Sequence, residues 1–207
     1  MLPTPLYLDD ALIAVDKPAG LLAVPGRGDD KQDCLWARVR QAWPDALVVH
    51  RLDMATSGLM LFARSLAVQR RVSQAFAERQ VQKHYVAVVD GRLPQPEGRI
   101  ELPLAADWPR RPLQRVDLAA GRPARTDWRL LAQHDGHARL ALQPHTGRTH
   151  QLRLHLAAIG HPILGDALYA PPAVLARAER LMLHAEALAL THPLSGTPWR
   201  LHCPAPF

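Results

Sequence analysis

Short apolar runs, each broken by Pro, Gly or an Asp-Gly pair, constrain this chain more than any other feature. Leu12 to Val15 stops at Lys17-Pro18-Ala19-Gly20, and Leu47 to His50 leads into Asp53. Leu59 to Ala63 follows a Ser57-Gly58 turn, and Tyr85 to Val89 ends at Asp90-Gly91. Runs of this length suit buried strands. Thr126 to Gln133 and Ala138 to Gln143 flank Asp135-Gly136, a strong hairpin signal. Leu183 to Leu190 and Trp199 to Cys203 are two further strands.

Helices are fewer. Leu35, Val39 and Trp43 recur at four-residue spacing, with Asp33 as the expected cap and Pro44 as the stop. Ser65 is placed to cap a helix whose buried face carries Val68, Val72 and Phe76. His150 to Ile159 aligns Leu152, Leu156 and Ile159, with Gly160 and Pro162 ending the helix. A shorter helix is expected near Leu175, and the Pro- and Arg-rich stretch 93–123 reads as a strand near Ile100 followed by an exposed loop. Strands outnumber helices and no βαβ alternation appears. The expected class is therefore α+β, a central mixed, largely antiparallel sheet flanked by helices and loops, in one domain over residues 1–207.

With 48% hydrophobic and 21% charged residues, the 207-residue chain can bury a core. Its formal net charge is +6, almost all of it from Arg, since Lys17, Lys31 and Lys83 are the only lysines. Arg forks suit phosphate, so nucleic acid is the leading partner class, while Arg-rich composition alone fits codon bias equally well. Cys34 and Cys203 have no redox or metal-like spacing. The N-terminus lacks the pattern of a secretory signal, and no apolar run approaches a membrane span. A monomeric cytoplasmic protein is expected.

Three clusters carry candidate chemistry. In the first, His50-Arg51-Leu52-Asp53, an apolar strand delivers a carboxylate into a turn beside an arginine. Such a carboxylate can act as nucleophile or base, although an Asp in a turn commonly just accepts backbone amides. The second, around Gly147-Arg148-Thr149-His150, puts Arg148 at the mouth of a helix, where it can hold phosphate or pair with an acid. His150 and His155 in that region do not form a metal site. Five residues along a helix turn about 500°, so the two rings diverge by roughly 140°. The third, Lys83-His84-Tyr85, sets a tyrosine on a strand beside Ala87 and Val89, where it can stack on a base or fill a core.

Together these motifs resemble the RluA-type pseudouridine synthases. His50-Arg51-Leu52-Asp53 with Thr56-Ser57-Gly58 is similar to that family's central motif, and Val15-Asp16-Lys17-Pro18-Ala19-Gly20-Leu21 to its first. Lys83-His84-Tyr85 and Gly147-Arg148-Thr149-His150-Gln151-Leu152-Arg153 are similar to its tyrosine motif and its last motif. The resemblance runs from about Leu12 to the C-terminus. Val24-Pro25-Gly26-Arg27, Asp107-Trp108-Pro109 and Gly121-Arg122-Pro123-Ala124 further resemble the RluA branch, which modifies uridines in 23S rRNA and tRNA anticodon stem-loops. No S4-like RNA-binding domain is expected.

The resemblance implies an enzyme that breaks the N1–C1′ bond of uridine, turns the uracil and rejoins it through C5, with no metal and no cofactor. Asp53 would be its catalytic carboxylate, attacking C1′, adding to C6 or serving as base at C2′. Arg148 would pair with that carboxylate, and Tyr85 would stack on the uracil and assist the closing proton transfer. Arg51 would fill the space that the flipped base vacates. His50, Arg153, Leu154 and the basic positions Arg27, Arg110, Arg111 and Arg115 are the expected RNA contacts. Two rivals remain: a non-catalytic RNA-binding module, which has no need of Asp53 and Tyr85 in these settings, and a histidine-based hydrolase, which lacks acidic or Cys partners at ligand spacing.

Overall fold

A computed structural model describes residues 2–207, in which the chain forms two compact units, 2–83 with 184–206, and 84–183 with 207. The class is α+β, as expected, and antiparallel pairing predominates in both units.

In the first unit, β1 (Pro5–Leu8) pairs with β2 (Leu12–Lys17), and β2 with β4 (Ser57–Ala63), both antiparallel. Short β3 (Leu47–Val48) adds to β4 antiparallel, whereas β11 (Leu183–Thr191) runs parallel to β4. Strand β12 (Pro198–His202) pairs with β11. Every residue of β4 is buried, so it reads as an unbroken apolar run and not as an alternating one. Leu59, Leu61 and Ala63 pack with Val68 and Val72 of α2 (Leu66–Ala77). Met60 and Phe62 pack with Leu35 and Val39 of α1 (Leu35–Ala42). One helix therefore covers each face of the strand.

The caps test the sequence reading directly. Ser65 Oγ accepts from the Val68 N–H at 3.3 Å, as expected. Asp33 does not cap α1. Its carboxylate accepts from Arg38 Nε at 2.8 Å, and Cys34 takes the cap, its Sγ accepting from the Ala37 N–H at 3.4 Å. A charged partner five residues on outcompetes an amide. Ser57-Gly58 is also corrected: it opens strand β4 and is no turn. Gly58 has φ 114, and a Cβ there would lie 2.4 Å from the Ala185 carbonyl oxygen of β11, so only glycine fits.

In the second unit, β5 (Gln82–Asp90, the chain entering this unit at His84) pairs with β10 (His137–Pro144). Strand β10 pairs with β9 (Thr126–His134) through the Asp135-Gly136 hairpin, and β9 with β6 (Glu97–Ile100). Burial alternates along β10, with Ala138, Leu140, Leu142 and Pro144 inward. Helices α3 (Gln151–Ala158) and α4 (Pro172–Leu175) complete the unit.

Stretch 93–123 departs from expectation. After β6 it forms a small antiparallel hairpin of β7 (Leu104–Ala106) and β8 (Gln114–Val116), tied to Arg122 by paired backbone bonds with Leu104. Three-residue strands are too short to show a period in sequence.

Candidate active site

Asp53 lies in the loop from β3 to β4. Its carbonyl accepts from the Thr56 N–H at 3.1 Å, closing a tight turn. What fixes this turn is Lys17, at the end of β2. Its side chain is fully buried, and Nζ donates to the carbonyls of Pro18 (2.9 Å), Leu21 (2.8 Å) and Met54 (3.0 Å). An ammonium has three protons, and three carbonyls receive them. The Met54 carbonyl also accepts from the Gly20 N–H at 2.9 Å, so the residue after Asp53 is held from two directions.

His50 shapes the approach to Asp53. Strand β3 stops at Val48, and His50 Nε2 then accepts from the Leu61 N–H at 2.9 Å, serving a β4 donor that the ladder has released. The ring stacks on Phe76 at 4.6 Å. Burial, with the Lys83 charge nearby, pushes the His50 pKa down to about 3, so the ring is neutral, as an accepting nitrogen requires. Lys83 is itself pushed down to about 8 by burial and by Arg79. Arg51 points to solvent and forms no ion pair among the described residues.

Tyr85 and Arg148 belong to the second unit, at one end of β10. Tyr85 on β5 is in register with Leu142, and two residues further on β10 gives way to the turn that carries Arg148. Gln151, 4% exposed, binds that turn. Its Oε1 accepts from Thr146 Oγ1 (2.7 Å) and from the Arg148 N–H (3.1 Å), while Nε2 donates to the Arg125 carbonyl (2.9 Å) and Thr126 Oγ1 (3.0 Å). The chain of donors continues inward: the Thr126 hydroxyl donates to His155 Nδ1 (3.0 Å), and His155 Nε2 donates to the Leu102 carbonyl (3.0 Å). Burial pushes the His155 pKa down, consistent with that neutral tautomer. Arg148 Nε donates to the Pro123 carbonyl at 3.2 Å.

Comparison with known proteins identifies this set of motifs. The sequence pattern of the family described as RNA pseudouridylate synthase matches residues 11–158, from β2 through α3. The chain belongs to the RNA pseudouridylate synthase family. It is 48% identical over 203 residues to the dual-specificity RNA pseudouridine synthase RluA of Yersinia pestis, covering 98% of each chain. With the protein of that name from Escherichia coli K12 the identity is 47%, over 98% of this chain and 93% of the other. The fold matches human RNA pseudouridylate synthase domain containing 1 with a TM-score of 0.83 at 28% identity, over 99% of this chain and 84% of that one.

Within this pseudouridine synthase the expected RNA contacts divide. Arg27, Arg51, Arg110, Arg111 and Arg115 are exposed. Arg153 is not: it is 4% exposed, and its Nε donates to Asp166 at 2.8 Å in a two-pronged pair with a fully buried carboxylate. The last motif's second arginine thus braces α3 against the loop that follows it, where it cannot reach a phosphate. Leu154 is partly buried on the same helix.

Sequence reasoning missed Lys17 and Gln151 as supports, because both residue types usually face water. It also missed Asp16, His184 and Cys203, whose donor atoms lie within 4.8 Å of one another. His184 Nδ1 meets Ser57 Oγ at 2.8 Å and Nε2 meets the Cys203 carbonyl at 3.0 Å. Burial and the Asp16 carboxylate push the Cys203 thiol up to about 12. No helix among the described residues is long and apolar enough to cross a membrane.

Proposed function

We propose that the chain isomerises uridines in both rRNA and tRNA stem-loops, with Asp53 as the catalytic carboxylate. The observation that carries this reading is the Lys17 clamp on the residue after Asp53, in a chain whose near full-length relatives are named dual-specificity RNA pseudouridine synthases. A buried cation that donates to three carbonyls makes sense where a turn must hold one carboxylate in place before the substrate arrives.

In this reading, residues 1–207 work as one catalytic domain. The flipped uracil stacks on Tyr85, whose phenol assists the proton transfer that follows bond formation at C5. Arg148, held by Gln151, serves as the charged partner of Asp53. Arg51 enters the RNA stack where the uridine has left it, and Arg27 takes phosphate. The isomerisation needs no redox change and no external group, which fits chemistry without metal or cofactor, and the reading takes the enzyme to be a cytoplasmic monomer.

The test is release of tritium from RNA labelled at uridine C5, in metal-free buffer with chelator. Release from both a tRNA anticodon stem-loop and a 23S rRNA fragment supports the reading. Release from one RNA alone removes the dual specificity, and loss of activity with chelator removes the metal-free chemistry.

A further inference from the structure

The tip of the β7–β8 hairpin carries the most exposed aromatic of the described residues. Trp108 keeps 67% of its surface accessible, although the Arg111 guanidinium lies over its ring, 3.5 Å from the centroid. With one face covered and most of its area still open, the other face of the indole is turned to solvent. The loop that carries this indole is closed by its own hydrogen bonds, so the open ring face is presented in a fixed place.

Two arginines at this tip play different parts. Arg110 is committed to the loop: its Nε donates to Asp107 at 2.8 Å, and Asp107 is 4% exposed. The Asp107 N–H donates to the Leu113 carbonyl at 3.0 Å, and the Leu113 N–H to the Arg110 carbonyl at 2.9 Å, which closes the loop on itself. Arg111 has no carboxylate partner among the described residues, and its guanidinium lies over the Trp108 ring. Nearby Arg122 is exposed and likewise forms no ion pair among the described residues, whereas Asp117 is spent on Arg115 and on the N–H groups of Ala119 and Ala120. The available charge of the tip is positive.

The hairpin is also tied to the turn that carries Arg148. The Gln114 N–H of β8 donates to the Tyr169 phenol oxygen at 2.9 Å. The same phenol is hydrogen-bonded to His150 Nδ1 at 2.7 Å. His150 is the residue before α3, in the left-handed conformation with φ 55, two positions after Arg148. One phenol thus connects the Trp108 hairpin to the proposed catalytic turn within the same unit.

We propose that Trp108 and Arg111 form a platform for an unpaired base of the substrate RNA other than the target uridine. The open indole face stacks on the base, and the guanidinium meets an adjacent phosphate. An indole with one face open and the Arg111 guanidinium over the other suits a nucleic acid loop, which offers both a flat π-face and an adjacent phosphate. Stacking accepts any base, so the platform selects an open loop over a duplex and does not read sequence. This deepens the reading above and rests on RNA being the substrate.

The experiment uses the full chain with a synthetic anticodon stem-loop RNA carrying 2-aminopurine at successive loop positions, and a fully paired duplex of the same length. For the stem-loop, Trp108→Ala should weaken binding by about 5- to 100-fold, with the loss falling on KM. It should also abolish the 2-aminopurine quenching seen at one loop position. Trp108→Phe should keep the quenching and most of the affinity, and Trp108→Leu should behave like Ala. Duplex binding should be indifferent to all three. Arg111→Ala should reduce the salt slope of binding, while Arg110→Ala should chiefly loosen the loop. Unchanged stem-loop affinity in Trp108→Ala, or equal loss for stem-loop and duplex, overturns the proposal. A wild-type chain that binds and quenches but releases no tritium would sink the catalytic reading and leave the platform standing.

Discussion

In the turn that carries Asp53, a buried ammonium donates three bonds to three carbonyls; in the turn that carries Arg148, a buried carboxamide donates two bonds and accepts two. Both supports are long polar side chains used at full hydrogen-bonding capacity in places closed to water. The difference lies in what each leaves behind. Lys17 brings a net charge beneath a loop of oxygen acceptors, and no neutral side chain can serve them all. Gln151 is neutral, does not titrate, and ties together groups of both polarities. One turn is held by charge against dipoles and the other by matched donors and acceptors.

The comparison breaks most sharply at Lys17. Lys17→Met keeps length and apolar stem but orphans buried carbonyls, and it should destabilise the protein by about 3 kcal/mol or more, from roughly 1–3 kcal/mol for each unsatisfied group. Isomerisation should fall further than the lost stability explains, because Met54 adjoins Asp53. Urea unfolding beside tritium release separates the two effects. Equal stability in Lys17→Met would mean that the carbonyls find water and the clamp is dispensable.

A smaller cost is expected at Gln151. Gln151→Ala should cost about 1–3 kcal/mol, because some of its partners can turn to one another or to water. Gln151→Glu keeps the acceptors and loses both donors, so it should disturb the Arg125–Thr126 side while leaving the Arg148 N–H served. Amide hydrogen exchange at Arg148 would show this: faster in the Ala variant, near normal in the Glu variant.

A third effect concerns pH. The pKa of His50 is depressed to about 3, so between pH 6.5 and about 3 the unfolded chain takes up a proton that the folded ring refuses. The contribution of His50 to stability is complete above pH 6.5 and drains away as the pH falls through that window. His50→Gln should flatten the difference in urea midpoint between pH 7 and pH 4. Gln151, having no proton to gain, should leave that pH dependence unaltered when replaced. A His50→Gln slope equal to that of the wild type would mean that His50 is not the buried neutral acceptor described.

Much of the fold was legible because the relevant signals are local. The Ser65 cap, the Asp135-Gly136 hairpin and the apolar stripe of α2 each sit within a few residues of what they determine. The failures share a cause. Asp33 was preempted by Arg38, Ser57-Gly58 took strand geometry because β11 approaches it, and Arg153 turned inward to Asp166. In each case a partner outside the local motif, brought into contact by the fold, decided the outcome, and residue type alone cannot reveal it. The position of Asp53 after an apolar run was readable; the ammonium that fixes its turn was not, because a lysine in a Lys-Pro-Ala-Gly stretch looks like a solvated loop residue.

The central claim is that Asp53 performs the isomerisation. Its most direct test is tritium release from C5-labelled stem-loop RNA by Asp53→Asn, with RNA affinity measured on the same preparation. The account predicts stem-loop affinity close to that of the wild type and no release, since the amide keeps the shape of the carboxylate but is a poor nucleophile and base. Appreciable release by Asp53→Asn would contradict it and move the chemistry to another residue.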